Sequence, residues 1–165
     1  MRRILVFGNS GSGKSTLAKQ LCDSHALSHL DLDTLAWEPT TPPERKPLAA
    51  SAKAISRLIE SSESWVIEGC YSDLLELAVP FATQMIYLDL PVEACIANAR
   101  ARPWEPHKYP SKAAQDANLE MLLEWISRYA DRDDTFSRRA HLALYESFPG
   151  EKTVLTKNGD LGINI

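Results

Sequence analysis

Cysteine is scarce in this chain of 165 residues: Cys22, Cys70 and Cys95 are far apart and odd in number. That excludes a disulfide framework and offers no paired-cysteine zinc site, so a reducing, cytoplasmic setting is expected. Long apolar runs are missing too. The run before the first glycine, Ile4 to Phe7, is too short for a signal peptide, and nothing approaches the roughly 20 apolar residues of a membrane span. Positive charge is not in excess: 18 Lys and Arg stand against 22 Asp and Glu, a net charge of −4. That balance argues against DNA as a partner, because duplex binding is driven by phosphate neutralisation. Histidines show no metal-ligand spacing, and His29, His107 and His141 read as solvated or packed side chains. No segment repeats. The remaining composition, 44% hydrophobic and 24% charged, is that of a folded chain, and the length suits a single domain over residues 1–165, as a monomer or small homo-oligomer.

Glycine is also sparse, and three of the seven fall in one stretch, "VFGNSGSGKST". Gly8, Gly13, Lys14 and Ser15 satisfy G-x-x-x-x-G-K-[ST] behind a short apolar run and ahead of "STLAKQLC", where Leu17, Ala18, Leu21 and Cys22 share a helical face. A strand, a glycine-rich loop and a helix N-terminus together make a nest of backbone N–H groups for anionic oxygens. The loop residues Gly8, Ser10, Gly11, Ser12, Gly13, Lys14, Ser15 and Thr16 are the expected ATP-holding set. In it Lys14 reaches the β- and γ-phosphates and Ser15 ligates the bridging Mg²⁺.

Beyond the loop, strand-like runs alternate with amphipathic stretches, the pattern of an α/β fold with a parallel sheet covered by helices. "ALSHLDLD" reads as a second strand, "WVIEG" as a third, "MIYLDLP" as a fourth and "KTVLT" as a fifth. Leu48, Ala52, Ile55 and Ile59 form one helical stripe, and Val92, Cys95, Ile96 and Ala99 another. "RPWEPHKYPS", with three prolines, reads as a mobile loop, and "AAQDANLEMLLEWISRYADRDD" as one long helix. In such a sheet ligands lie at the carboxyl ends of the strands. Asp31, Asp33 and Glu68 close strands there. Ser15, Asp31 and Glu68 are the candidate Mg²⁺ ligands, direct or through water, and a carboxylate at this place can take a proton from a substrate hydroxyl. Asp89, just ahead of Pro91, reads as a cap of the next helix.

"GNSGSGKST", "HLDLDTLAW", "WVIEGCY" and "YLDLPVEAC", in this order, resemble the adenylate kinase and shikimate kinase group of P-loop proteins. They are most similar to its small bacterial, FlaR-like branch known as DNA topology modulation proteins. The resemblance covers nearly the whole chain. It implies a three-layer P-loop NTPase fold: a five-stranded parallel sheet of order 2-3-1-4-5, helices on both faces, and a lid segment over about residues 102–112. It also implies that the strand-two carboxylate faces the acceptor, which makes Asp33 the candidate for orienting the acceptor hydroxyl, with Asp31 second. Glu68 stands where that branch has Asp, Cys70 where it has Asn, and no helix is expected after the last strand. The glycine-rich substrate loop of shikimate kinases and the full AMP-site pattern of adenylate kinases are absent.

Phosphoryl transfer needs positive charge over the moving group. Besides Lys14, the candidates are Arg100 with Arg102 at the mouth of the Pro-rich loop, and Arg128 and Arg132 one helical turn apart, ahead of Arg138 and Arg139. Arg132 opens "RDD", which is similar to an adenylate kinase lid segment. Trp65 reads as core and Trp125 as a packed helical residue, while Trp37 and Trp104 sit in loops where one could stack on a base or acceptor. The function expected is transfer of the ATP γ-phosphoryl, with Mg²⁺, to a nucleoside monophosphate or other small-molecule acceptor. The competing expectation is a nucleotide-binding regulator with slow hydrolysis and a protein or DNA partner.

Overall fold

A computed structural model describes residues 1–159. The chain runs β1 (Arg3–Gly8), α1 (Lys14–His25), β2 (Ser28–Asp31), α2 (Leu48–Ser61), β3 (Trp65–Gly69), α3 (Ser72–Ala78), β4 (Gln84–Leu88), α4 (Val92–Ala101), α5 (Lys112–Ala117), α6 (Leu119–Ser127), α7 (Arg138–Ser147) and β5 (Glu151–Leu155). All five strands are parallel in the order β2-β3-β1-β4-β5, the order the resemblance implied. Whether a helix follows β5 also concerns residues 160–165, which lie outside the described residues. Among the described residues no helix is long and apolar enough to cross a membrane.

Strand side chains alternate between faces, so each central strand feeds two cores. Ile4, Val6, Val66, Ile86 and Leu88 pack with Leu17, Leu21 and Cys95 on one side. Leu5, Phe7, Trp65, Ile67, Met85 and Tyr87 pack with Ile55, Leu74, Leu75 and Leu144 on the other. This alternation places Glu68 on the face of Val66, beneath α1, and the β2–β3 register sets Asp31 beside it.

Three local expectations are corrected. The helix expected over residues 113–134 is two helices and a turn: α5 ends at Ala117, capped by Asn118, whose side-chain amide donates to Tyr109 Oη at 3.0 Å, and α6 stops at Ser127. An Asn amide that finds a partner off the helix axis competes with helix continuation. The buried stripe of α2 is Ser51 and Ile55, with Leu58 and Ile59 beside them, whereas Leu48 at its first turn is exposed. Asp89 does not cap α4, whose N-cap is Pro91 without a side-chain bond. Instead it accepts two hydrogen bonds from Arg138, at 3.0 and 2.7 Å.

Candidate functional site

The loop between β1 and α1 curls because glycine permits it. Gly11 and Gly13 have φ of 75° and 91°, and a Cβ on Gly11 would collide with the Cys95 carbonyl. Gly13 is also the N-cap of α1, so the first helical N–H groups open onto the loop. Lys14 Nζ folds back to the Asn9 carbonyl at 2.7 Å, and Asn9 is itself tied to α6 through a bond to the Ile126 carbonyl. Ser12 Oγ is buried without a protein partner.

At the carboxyl edge of the sheet, Ser15 Oγ donates to Glu68 Oε1 at 2.7 Å, and His29 Nε2 lies 3.1 Å from the same oxygen. Glu68 is 1% exposed. Its hydrogen bond raises the His29 pKa despite partial burial. His29 is therefore neither freely solvated nor simply packed, as its sequence context suggested. Asp31 Oδ1 accepts the Asp33 N–H at 2.9 Å, capping the short 3-10 turn Leu32–Thr34. Burial, and then the charges of Glu68 and Asp33, push the Asp31 carboxyl up.

Asp33 is held from both sides. Tyr71 Oη donates to Oδ1 at 2.5 Å and receives Trp37 Nε1 at 2.8 Å, while Lys108 Nζ donates to Oδ2 at 3.0 Å and lies 3.4 Å from Asp31 Oδ2. Burial opposes ionisation of Asp33, but the Lys108 charge and the Tyr71 bond outweigh it and hold the carboxyl below its usual range. Lys108 and Tyr71 are residues that the sequence reading did not place in the site. Both lie far from Asp33 along the chain, and only packing joins them.

Asp33, Glu68 and Lys108 border a cavity of about 590 Å³ that includes the phosphate loop from Ser10 to Thr16 and Cys70. Asn98, Lys157 and Asn158 line its end at α4 and the β5 exit, where Asn98 bridges to the Gly11 carbonyl at 2.8 Å and pairs with Asn158. Burial drives the Cys70 thiol up to about 12, so it is inert here. The Pro-rich segment contributes Pro103, Glu105, Lys108 and Tyr109 to the lining. It is held by Glu105 N–H to Gln115 (2.8 Å), by Gln115 to the Pro103 carbonyl (3.0 Å) and by Lys108, so the segment expected as a mobile loop lies docked on the site.

The arginines distribute differently from expectation. Arg102 lines the cavity, while Arg100, Arg128 and Arg132 do not. Arg128 pairs with Glu124 on the exposed face of α6. The Arg132 guanidinium lies 3.6 Å from the centre of the Trp125 ring and donates to the Trp125 carbonyl. Neither Trp37 nor Trp104 reaches the cavity, since Trp37 is committed to Tyr71 and Trp104 to the Tyr109 carbonyl.

A family model described as an AAA domain matches residues 4–120. An adenylate kinase from Synechococcus sp. (strain CC9311) is 30% identical over 128 residues, which is 77% of this chain and 57% of that protein. The chain thus spans little more than half of that relative's length. Among solved structures, a shikimate kinase from Acinetobacter baumannii in complex with shikimate superposes with a TM-score of 0.54 at 15% identity, covering 96% of this chain and 86% of that one. A sugar kinase from Janibacter sp. HTCC2649 superposes at 0.52 with 17% identity, covering 94% and 85%. At these identities the likeness is one of fold. By its phosphate loop, its sheet order and the extent of the family match, the chain belongs to the AAA domain family, as a P-loop domain of kinase-like fold.

Proposed function

We propose that this chain is a Mg²⁺- and ATP-dependent phosphotransferase acting on a small hydroxyl acceptor. The observation that carries the reading is the meeting, in one cavity, of the phosphate loop, the Ser15–Glu68 pair and the Asp33 carboxylate. Simple hydrolysis does not require a second carboxylate so firmly oriented. The fold likeness to the kinases and the adenylate kinase relative support the same class.

The donors fit the nucleotide and its metal. The unpartnered Ser12 Oγ and the N–H groups of α1 suit phosphate oxygens, and the Ser15 hydroxyl and Glu68 carboxylate are hard oxygen donors. No group of three or more His, Cys, Asp or Glu converges as a metal cage among the described residues. Ser15 and Glu68 would hold the ion, with Asp31 behind them, and the ion would neutralise phosphate charge. Lys14, freed from the Asn9 carbonyl, would draw charge from the β- and γ-oxygens. Asp33 would orient the acceptor hydroxyl through Oδ2. The acceptor oxygen forms a bond to the γ-phosphorus and the bond to the β,γ-bridging oxygen breaks. ATP and alcohol give ADP, a phosphate monoester and one proton. A carboxylate held below its usual pKa is a weak base, so the proton leaves late, as suits a loose transition state.

The motifs "HLDLDTLAW" and "WVIEGCY" support a place beside the small bacterial topology-modulation branch. The test is acceptor-dependent ADP release across nucleoside monophosphates and hydroxyl metabolites with Mg·ATP. Acceleration by at least one acceptor is expected; a rate that no acceptor changes returns the chain to the regulator reading.

A further inference from the structure

The acceptor end of the cavity is lined by Asp33 and Glu68, with Asp31 beside them. Asp31, Asp33 and Glu68 lie together where β2 and β3 end. The cations lining the cavity among the described residues are Lys14, Arg102, Lys108 and Lys157. Lys14 belongs to the phosphate loop and Arg102 is 3.5 Å from Glu105. Lys157 follows β5, at the opposite edge of the sheet from β2, four strand spacings or roughly 19 Å away. Arg45 and Arg132 lie outside the lining. Arg45 pairs with Asp73 at 3.1 Å and lies over the rings of Tyr71 and Phe136, and Arg132 is stacked on Trp125. Of the lining cations Lys108 alone stands at the Asp31–Asp33 pair, so a phosphate or carboxylate placed there would meet these two carboxylates rather than a guanidinium.

One ammonium does occupy this end. Lys108 Nζ sits between Asp33 Oδ2, at 3.0 Å, and Asp31 Oδ2, at 3.4 Å, and it arrives from a separate segment that has docked onto the site. Asp33 Oδ1 is taken by Tyr71, so Oδ2 is the oxygen left to an acceptor, and it is the oxygen Lys108 covers. An acceptor that reaches Asp33 must displace or share with that ammonium, and displacement strips both carboxylates of their counter-charge unless the acceptor restores it. The unpartnered Ser12 Oγ, buried in the loop that lines the same cavity, marks the adjoining phosphate end as built for a ligand.

We propose that the acceptor is an amino alcohol, a hydroxyl compound bearing an ammonium group that takes the place Lys108 holds between Asp31 and Asp33. This rests on the phosphotransferase reading. The step conserves atoms as written above: the hydroxyl oxygen bonds to the γ-phosphorus, ADP departs, the hydroxyl proton leaves by Asp33, and the ammonium stays intact as the positioning charge. Lys108 is then a built-in competitor for the acceptor.

The experiment measures ADP release from Mg·ATP with D-glucosamine, D-galactosamine and ethanolamine, against D-glucose, D-galactose and ethylene glycol as neutral counterparts and AMP and D-gluconate as anions. An amine is expected to exceed its neutral counterpart in kcat/KM by about tenfold or more, the value of one charge-assisted hydrogen bond. Lys108→Met, which keeps the apolar stem of this largely buried side chain, is expected to lower the KM of that amine, whereas a positioning role for Lys108 without competition would raise it. A neutral or anionic compound as the best acceptor, or a raised KM in Lys108→Met, overturns the amine class and leaves the phosphotransferase standing. Nucleotide binding with no stimulation by any of the eight compounds overturns the amine class, and the phosphotransferase reading falls with it when the wider acceptor panel is silent too.

Discussion

Lys14 and Asp33 show how one residue's surroundings set its task. Lys14 has a flexible stem and is satisfied by its own loop through Asn9, so it can be released to phosphate at the cost of one hydrogen bond. Lys14→Ala is expected to abolish nucleotide binding in titration calorimetry. Asp33 is fixed at both oxygens, and Asp33→Asn should keep ATP binding while acceptor-dependent ADP release collapses. Arg132 reads differently in the fold than in the sequence. "RDD" suggests a lid arginine whose loss would cost ~10³ in kcat. With the guanidinium stacked on Trp125, Arg132→Ala is instead expected to cost about 1 kcal/mol of stability, a typical partly buried cation–π contact, with less than about tenfold in kcat. Paired urea titration and steady-state rates distinguish the two.

The segment between α4 and α5 is the element whose behaviour the fold changes most. Three prolines suggest a stiff flap. Its docking comes from polar contacts at both ends, to Gln115 and to the Asp31–Asp33 pair, and the second is electrostatic. Asp33→Asn removes the stronger half of that pair, so trypsin should cut after Lys108 several-fold faster than in the unmodified protein, with high salt narrowing the difference. At the end of α1, Ala26 sits in the left-handed region with φ of 53°, closing the helix by an N–H to the Cys22 carbonyl. Glycine carries no Cβ penalty there. Ala26→Gly is expected to stabilise the protein by roughly 0.5–1 kcal/mol in urea unfolding, against the usual sign for that substitution.

At the scale of the whole molecule, stability is tied to a buried polar chain behind the sheet. His141 is fully buried, with Nε2 donating to the Cys70 carbonyl at 2.8 Å and Nδ1 accepting from Tyr129 at 2.6 Å, and Tyr129 lies 2.9 Å from Tyr87 Oη. Burial lowers its pKa from 6.5 to about 4. The folded value is the lower one, so the unfolded chain binds the proton first. This contribution is complete above about pH 6.5, is lost as pH falls from there, and levels off below about pH 4, a span of roughly 3 kcal/mol. Urea midpoints should drop across that window, and the His141 Cε1 proton resonance should stay in its neutral position until close to pH 4. Mg·ATP, binding the folded state, should raise the melting temperature by mass action, and EDTA should reverse most of the gain.

The phosphate loop was legible from residues alone because its chemistry is local: a nest of N–H groups needs glycine at fixed offsets, a strand before it and a helix after it, all within fourteen positions of one another (Arg3 to Thr16). The sheet was legible because parallel strands buried on both faces leave short apolar runs bounded by turns, as in "ILVF" and "WVIEG". Glu68 could be singled out by its place at the end of β3 and Asp33 by following the end of β2, although it stands in the turn beyond that strand. Their partners could not. Lys108 reaches Asp33 across 75 residues, Tyr71 across 38, and Glu68 meets Ser15 across 53. Such distant pairings leave no period or spacing in the chain, and neither does the stacking that removes Arg132 from the cavity. The sequence by itself determined a phosphate-loop motif and the strand ends beside it. Only tertiary packing decided which charges stay unpaired around the cavity, because a side chain's charge is available or spent according to what the fold sets against it.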